Sequence, residues 1–379
     1  MRKISALWYS RRKVAIEKTH VLNSFQTSGN SPGAARCRVG ILGFGIVGSA
    51  LARRLTGPDS FANLDLTLIC DRRAREKRAR QPQPVAGLVW TDRFDDLLAS
   101  DVDVVVEAVG GGESAIDYVR GALLAGKSVV TANKLVLAHQ GPALLALAER
   151  QGRQLRFEAA VGGAMPIVRA LGDGLAGEKV LRIDAILNGT SNAVLSRMDG
   201  LGCSIDEAIA DACARGYAEA DPSADLGGGD AAAKLTILCM LGFGLRVAPG
   251  QIDTRTTERL QPRDFVDAEH RGGTIRQIAH AEYLRKRSTL VAWVAPTFVP
   301  RESLLARATG PENVAIITGE FAGKITLTGA GAGGDATAVA ALGDLIAIAR
   351  DRAAIVPAPV LTEPETIQGL PDRKLAEAV

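Results

Sequence analysis

The stretch GYAEADPSADLGGGDAAAKL (216–235) sets Glu219, Asp221, Asp225 and Asp230 in a glycine-loosened loop that runs into one amine, Lys234. On a helix starting near Asp230, Lys234 shares a face with Leu238 and Leu241 and has Asp230 one turn back. A partly buried amine beside carboxylates is how a proton donor is built. Desolvation favours its neutral form and the acids favour its charged form. The other acids, Glu219 and Asp225, suit the ammonium of an amino-acid substrate. The plainer alternative is a solvated acidic loop whose lysine snorkels to water.

A proton donor is what hydride transfer to a carbonyl needs, because that step leaves an alkoxide. Histidine is the usual candidate, but His20, His139, His270 and His280 all lie outside the glycine- and acid-rich loops. A dinucleotide motif lies upstream, in RCRVGILGFGIVGSALARRL (36–55). Val39, Ile41 and Leu42 form a short strand. Gly43, Gly45 and Gly48 then match G-x-G-x-x-G, with Phe44, Ile46 and Val47 between them, and a helix follows. Gly43 permits the turn, Gly45 lets backbone approach a pyrophosphate, and Gly48 lets helix and strand pack. The helix amino end supplies N–H donors. Asp71, 23 residues beyond Gly48, ends the next strand, LDLTLICD. A carboxylate there favours NAD, whereas Arg72 and Arg73 suit the 2′-phosphate of NADP; the paired arginines tilt the reading to NADP.

These sites need elements to carry them. VDVVVEAVGG (102–111) is apolar throughout, as in a parallel sheet covered on both faces. KSVVTANK (127–134) reads as another strand, and ESAIDYVRGALLAG and PALLALAERQG as helices between strands. The expected fold class is α/β: a doubly wound Rossmann-type parallel sheet with a second α+β domain for catalysis and dimerisation. LRIDAILNGTSNAVLSRM gives a strand and a helix, and SIDEAIADACARG a helix with a Ser204–Glu207 capping box. STLVAWVAPTFV and NVAIITGEFAGKITLTG are β-rich, and GAGAGGDATAVAALGDLIAIAR (329–350) is a second glycine loop entering a helix.

Together the motifs GFGIVG, VVVEAVGG, VVTANK, EAAVGGAMPIV, LNGTSN, GYAEADPSADLGGGDAAAKL and GAGAGG resemble those of homoserine dehydrogenases, in order from about Val39 to Arg350. The resemblance implies NAD(P)-dependent reduction of aspartate 4-semialdehyde to homoserine, in threonine, methionine and isoleucine biosynthesis. It implies that Lys234 is the proton donor, that Lys134 lies near nicotinamide and substrate, and that Glu219 and Asp230 bind homoserine with Asp225 beside them. Gly110, Gly216, Gly331 and Gly333 become further cofactor contacts. EAAVGGAMPI resembles a sodium loop, with Glu158 and the carbonyls of Val161, Gly163 and Met165 as ligands; oxygen donors suit such a hard cation. The second glycine loop departs from the family in having Ala330 for a common proline, and DATA for x-P-T-A.

The implied domains are a flexible basic leader over 1–36, a discontinuous nucleotide domain over 37–157 and 329–352, a catalytic and dimerisation domain over 158–328, and a tail from 353 to 379. A tail of that length holds no regulatory domain, so no threonine feedback through one is expected. The resemblance also implies a homodimer, with the β-rich runs pairing across a two-fold axis. The chain has 379 residues, 47% of them hydrophobic and 23% charged, an ordinary soluble composition. Its net charge of +3 comes from residues 1–36, which hold seven basic side chains and one acid, Glu17. That distribution gives no basic surface for nucleic acid, and no apolar run suits a membrane span. The five cysteines show no CxxC pairing, as in a reduced cytoplasmic protein. The leader loosely resembles a transit peptide, though a disordered arm is the simpler reading.

Overall fold

In a computed structural model, the described residues are 36–57, 61, 63–81, 85–219 and 221–370, with the backbone of 376–377. Except for Arg36, the leader lies outside them. Strand and helix alternate from the start: Cys37–Leu42 (β1), Ile46–Thr56 (α1), Leu64–Cys70 (β2), Ala74–Ala79 (α2), Val89–Thr91 (β3), Phe94–Ala99 (α3) and Val104–Glu107 (β4). Glu113–Leu124 (α4), Ser128–Thr131 (β5), Lys134–Arg150 (α5) and Leu155–Arg156 (β6) complete the set. The six strands form one parallel sheet in the order β3-β2-β1-β4-β5-β6, with order reversing between β1 and β4. Leu42 pairs with Cys70 and Glu107, and Glu107 with Thr131, so the carboxyl ends of four strands lie side by side. In such sheets ligands bind outside those ends, at the point of reversal.

One expectation shifts here. KSVVTANK is a strand only as far as Thr131, and α5 begins at Lys134, eight residues before Pro142. Asn133 caps it, its Oδ1 accepting the N–H groups of Leu135 and Val136 at 3.1 and 3.4 Å. Lys134 therefore opens a helix, and Pro142 is carried inside it.

The chain then passes through Ile167–Arg169 (α6) to a second, mixed sheet. Its order is Lys324–Ala330 (β12), Glu312–Gly319 (β11), Val180–Ile186 (β7), Gly273–Leu284 (β9), Thr289–Pro300 (β10) and Thr366–Gln368 (β13). Asp253–Thr254 (β8) and Ala376–Glu377 (β14) also pair with β10. The stretch read as a tail thus adds strands to this sheet. Helices Gly189–Leu201 (α7), Ile205–Ala214 (α8), Ser223–Leu226 (α9), Gly229–Phe243 (α10), Pro262–His270 (α11) and Leu304–Arg307 (α12) surround it. The capping box on α8 forms in both directions. Leu235, Leu238 and Cys239 of α10 pack on Ile183, Ala185, Ala281 and Ala315, in a core continuous with Val105, Val129 and Leu144 of the first sheet.

Gly334–Arg350 (α13) returns to the first sheet. Its Ala338, Ala341, Leu345 and Ile348 share a core with Val39, Ile41, Leu51, Val104 and Val106. No helix among the described residues is long and apolar enough to cross a membrane.

Candidate active site

The three glycines of the first turn face different surroundings. Gly43 has φ +94°, and a Cβ on it would lie 2.7 Å from the Ala108 carbonyl oxygen. A Cβ on Gly48 would lie 2.0 Å from the Gly43 carbonyl oxygen, so α1 seats directly on the turn. A Cβ on Gly45 would meet nothing within 4 Å among the described residues. This glycine is the N-cap of α1, and no side chain caps that helix. The turn therefore offers unspent N–H donors to open space, as phosphate binding requires. Beside it, Ile46 is exposed, and a Cβ on Gly334 would sit 2.8 Å from its Cγ2, so the second glycine loop adjoins the first. Gly333 there has φ +109° and open space, whereas Gly331 is held by packing, its Cβ position lying 2.1 Å from Asn313 Oδ1. Gly110, in the loop after β4, has open surroundings too.

These geometries separate two substitutions. Gly45→Ala is expected to keep its melting temperature but weaken cofactor binding about tenfold, or ~1.4 kcal/mol. Gly48→Ala is expected to lose about 1–3 kcal/mol of stability through overpacking. Differential scanning fluorimetry and NADPH fluorescence titration measure the two effects; equal loss of stability in both variants would contradict the assignment.

At the end of β2, Asp71 is already engaged. Its Oδ2 accepts the Phe44 N–H at 2.7 Å and the Lys77 ammonium at 2.6 Å, and its Oδ1 accepts the Arg73 N–H at 2.8 Å. Burial alone raises this carboxyl; Lys77 and the two N–H groups overcome that and hold it below the usual range. Arg72 and Arg73 are exposed and in no ion pair among the described residues.

The acidic loop and its lysine form a buried polar cluster with Lys134. Asp230, 8% exposed in the first turn of α10, places Oδ1 2.6 Å from Lys134 Nζ and Oδ2 2.7 Å from Lys234 Nζ. Lys234 also donates to the Leu187 carbonyl at 2.8 Å. Burial would raise the Asp230 carboxyl, but the two lysines hold it well below the usual carboxylate range. Burial would likewise lower Lys134; the charges of Asp230, Asp225 and Glu219 outweigh it and raise the amine above the usual lysine value. Asp225 joins through Asn188, whose Nδ2 donates to Asp225 Oδ1 at 2.6 Å and to Asp230 Oδ2 at 2.8 Å. Glu219 is exposed at the rim, near Gly216 at φ +74°, and its carboxylate makes no hydrogen bond among the described residues.

The structure brings Lys134, Lys234, Asp225 and Asp230 together. It adds Asn188, which sequence reasoning missed although it is the second residue of the quoted LNGTSN. Its Oδ1 caps α7 through the Ser191 N–H at 2.7 Å, and that cap aims the amide at both acids. Lys77 was also missed; its only signal is a position six residues past Asp71.

Glu158 lies away from this cluster. Its Oε1 and Oε2 accept the N–H groups of Val168 and Arg169 at 3.0 and 2.8 Å, so its carboxylate caps the short helix α6. Burial pushes it up to about 7. The carbonyl of Met165 accepts the Ile167 N–H at 2.8 Å. Those of Val161 and Gly163, both buried residues, accept no hydrogen bond among the described residues.

The chain is similar to known proteins over most of its length. Residues 43–158 match the family described as homoserine dehydrogenase, NAD binding domain, and residues 166–346 that described as homoserine dehydrogenase. The homoserine dehydrogenase of Mycobacterium leprae (strain TN) is 40% identical over 320 residues, covering 83% of this chain and 72% of the relative. A homoserine dehydrogenase structure from Thiobacillus denitrificans superposes with TM-score 0.82 at 33% identity, covering 89% of this chain and 80% of that one. A hyperthermophilic archaeal homoserine dehydrogenase mutant in complex with NADPH superposes with TM-score 0.69 at 26% identity, covering 82% of this chain and 97% of that one.

Proposed function

The chain belongs to the homoserine dehydrogenase family, and from that premise we propose a division of labour among its site residues for the interconversion of aspartate 4-semialdehyde and homoserine. The observation that carries it is the state of Lys234. An ammonium has three donors. Two are spent on Leu187 and Asp230, which leaves one for a substrate oxygen. When bound, the nicotinamide cofactor supplies or takes the hydride. Lys234 gives its proton to the aldehyde oxygen in reduction, and takes the hydroxyl proton in oxidation. Glu219 and Asp225 bind the substrate's ammonium. Asp230 was expected, with Glu219, to bind homoserine, but three of its roughly four lone-pair sites are on Lys134, Lys234 and Asn188. It chiefly sets the lysines, with one lone pair left for substrate.

The cofactor we assign is NADP rather than NAD. Lys77 neutralises the carboxylate that would otherwise accept a ribose hydroxyl, and Arg72 and Arg73 remain for a 2′-phosphate. Gly43, Gly45, Gly48, Gly110, Gly216, Gly331 and Gly333 shape the backbone around it. Initial rates with homoserine and each oxidised cofactor test both readings. NADP-linked activity is expected to exceed NAD-linked activity, and Lys77→Ala to lower the kcat/KM ratio by at least ~tenfold. No homoserine-dependent absorbance change would refute the function. An unchanged ratio in the variant would refute only the role of Lys77.

A sodium site at Glu158, Val161, Gly163 and Met165 is supported by the carbonyls of Val161 and Gly163, which accept no hydrogen bond among the described residues, since backbone oxygens inside a fold are otherwise almost always satisfied. The residues fit a hard monovalent cation. A homodimer is supported by the outer face of the second sheet, where Val291 and Ile316 are only partly buried. A cytoplasmic setting is supported by five free cysteines. The reaction would serve threonine, methionine and isoleucine biosynthesis.

A further inference from the structure

Beneath the loop after β4 lies a carboxylate that no step above uses. Glu107 closes β4 and is 1% exposed. Its Oε1 accepts the Val109 N–H at 2.8 Å, and its Oε2 accepts the Thr131 hydroxyl at 2.5 Å. Thr131 closes the neighbouring strand β5, and its oxygen accepts the Asn133 N–H at 3.0 Å. Asn133 then acts in two directions. Its Nδ2 donates to the carbonyls of Val109 and Gly111 at 3.2 and 2.7 Å, while its Oδ1 caps α5. The next residue is Lys134.

A closed circuit of hydrogen bonds therefore joins the 109–111 loop to the first turn of the helix that carries Lys134. The loop abuts the phosphate-binding turn, since a Cβ on Gly43 would meet the carbonyl of Ala108 and the side chain of Val109. No basic side chain pairs with Glu107 among the described residues. Burial pushes its carboxyl up to about 7, against the pull of Thr131, the Val109 N–H and Asn133. A buried carboxyl without a cation is costly, and an apolar residue would fill the same space more cheaply.

We propose that Glu107 is a positioning residue for hydride transfer: through Val109 and Thr131 it locks the 109–111 loop to α5, so that the nicotinamide side of the site and Lys134 keep one relative placement. This rests on the reading that the loop and Lys134 border the reacting groups.

Three variants test it. Glu107→Ala removes the acceptor. Thr131→Val removes only the hydroxyl. Glu107→Gln keeps an oxygen for Val109 and places an amide donor at Thr131. The first readout needs no substrate: amide hydrogen exchange in the cofactor-free protein. Glu107→Ala and Thr131→Val are expected to speed exchange at 109–111 and at 135–136 together, by about tenfold or more. The second is kinetic. A displaced loop is expected to lower kcat roughly 10–100-fold with little change in the KM for homoserine. It should also enlarge the isotope effect with homoserine deuterated at its hydroxyl-bearing carbon. Glu107→Gln should recover most of both. If Glu107→Ala does not fold, Thr131→Val and Glu107→Gln decide. Unchanged exchange at both segments in Thr131→Val overturns the proposal, as does a loss of stability with kcat and isotope effect intact. A wild-type protein inactive on homoserine would overturn the proposed function while leaving the exchange result to judge the circuit.

Discussion

Lys234→Ala is expected to lower kcat for homoserine oxidation by about 10²–10⁴-fold, the usual contribution of a positioned acid or base. The amine stands on the one helix that also bears Asp230, and the Leu187 carbonyl and that carboxylate fix its direction. Alanine removes the proton carrier and takes one of two cations from Asp230, whose Oδ1 stays on Lys134. Cofactor affinity, set at the glycine turns, should hardly change. Lys234→Arg is not expected to rescue turnover, because a guanidinium keeps its proton throughout the working pH range. Steady-state rates with fluorescence-measured cofactor binding give the answer. Near wild-type turnover in the alanine variant would rule out the assigned role.

Asp230→Asn is the second large effect. The substitution keeps the shape and deletes the negative charge between two ammonium groups 2.6 and 2.7 Å away. Breaking a buried pair by removing one partner typically costs ~3–5 kcal/mol, divided here between stability and catalysis. The kcat/KM is expected to fall at least ~100-fold. The pH profile should move as well. Without Asp230, the largest charge opposing burial at Lys134 is gone, and its raised value falls. The alkaline limb, where the lysine loses its proton, therefore shifts to lower pH. Stability gives a separate check. A carboxyl depressed in the fold stabilises above its unfolded value of about 3.9, and that gain disappears as pH drops through the lower folded value. The gap in melting temperature between Asp230→Asn and the parent should thus narrow on acidification. A constant gap and an unmoved pH profile would contradict the assignment.

Four strands of the parallel sheet were legible because they are short apolar runs, whereas β3 and β6, three and two residues long, left no such run to read. VVVE in β4 needs no partner to be recognised. The second sheet was less so. GTIRQIAHAEYL carries Arg276, Gln277, His280 and Glu282 through a central strand, β9, that is largely buried on both faces. Arg276 is 1% exposed because Asp199 and several carbonyls satisfy it, a compensation made by residues distant in sequence. The same limit applied at the site. Lys234 with Asp230 could be seen in one helical turn, but Lys134 reaches Asp230 from another layer, and Asn188 and Lys77 act on acids that only folding brings near. The start of α5 was misplaced because Pro142 is a stronger punctuation mark than Asn133, although the asparagine makes the cap.

The return of α13 to the first sheet also dictates an order of assembly on the ribosome. Strands β1 to β6 are complete once Arg156 has been made, yet Ala338, Ala341 and Leu345 of α13, which seal the apolar side shared with Leu51, Val104 and Val106, come much later. At synthesis rates of ~5–20 residues per second, that flank stays uncovered for on the order of ten seconds or more. The nascent cofactor-binding half therefore waits, greasy side open, for the end of its own chain, and this interval is when a chaperone has most to offer.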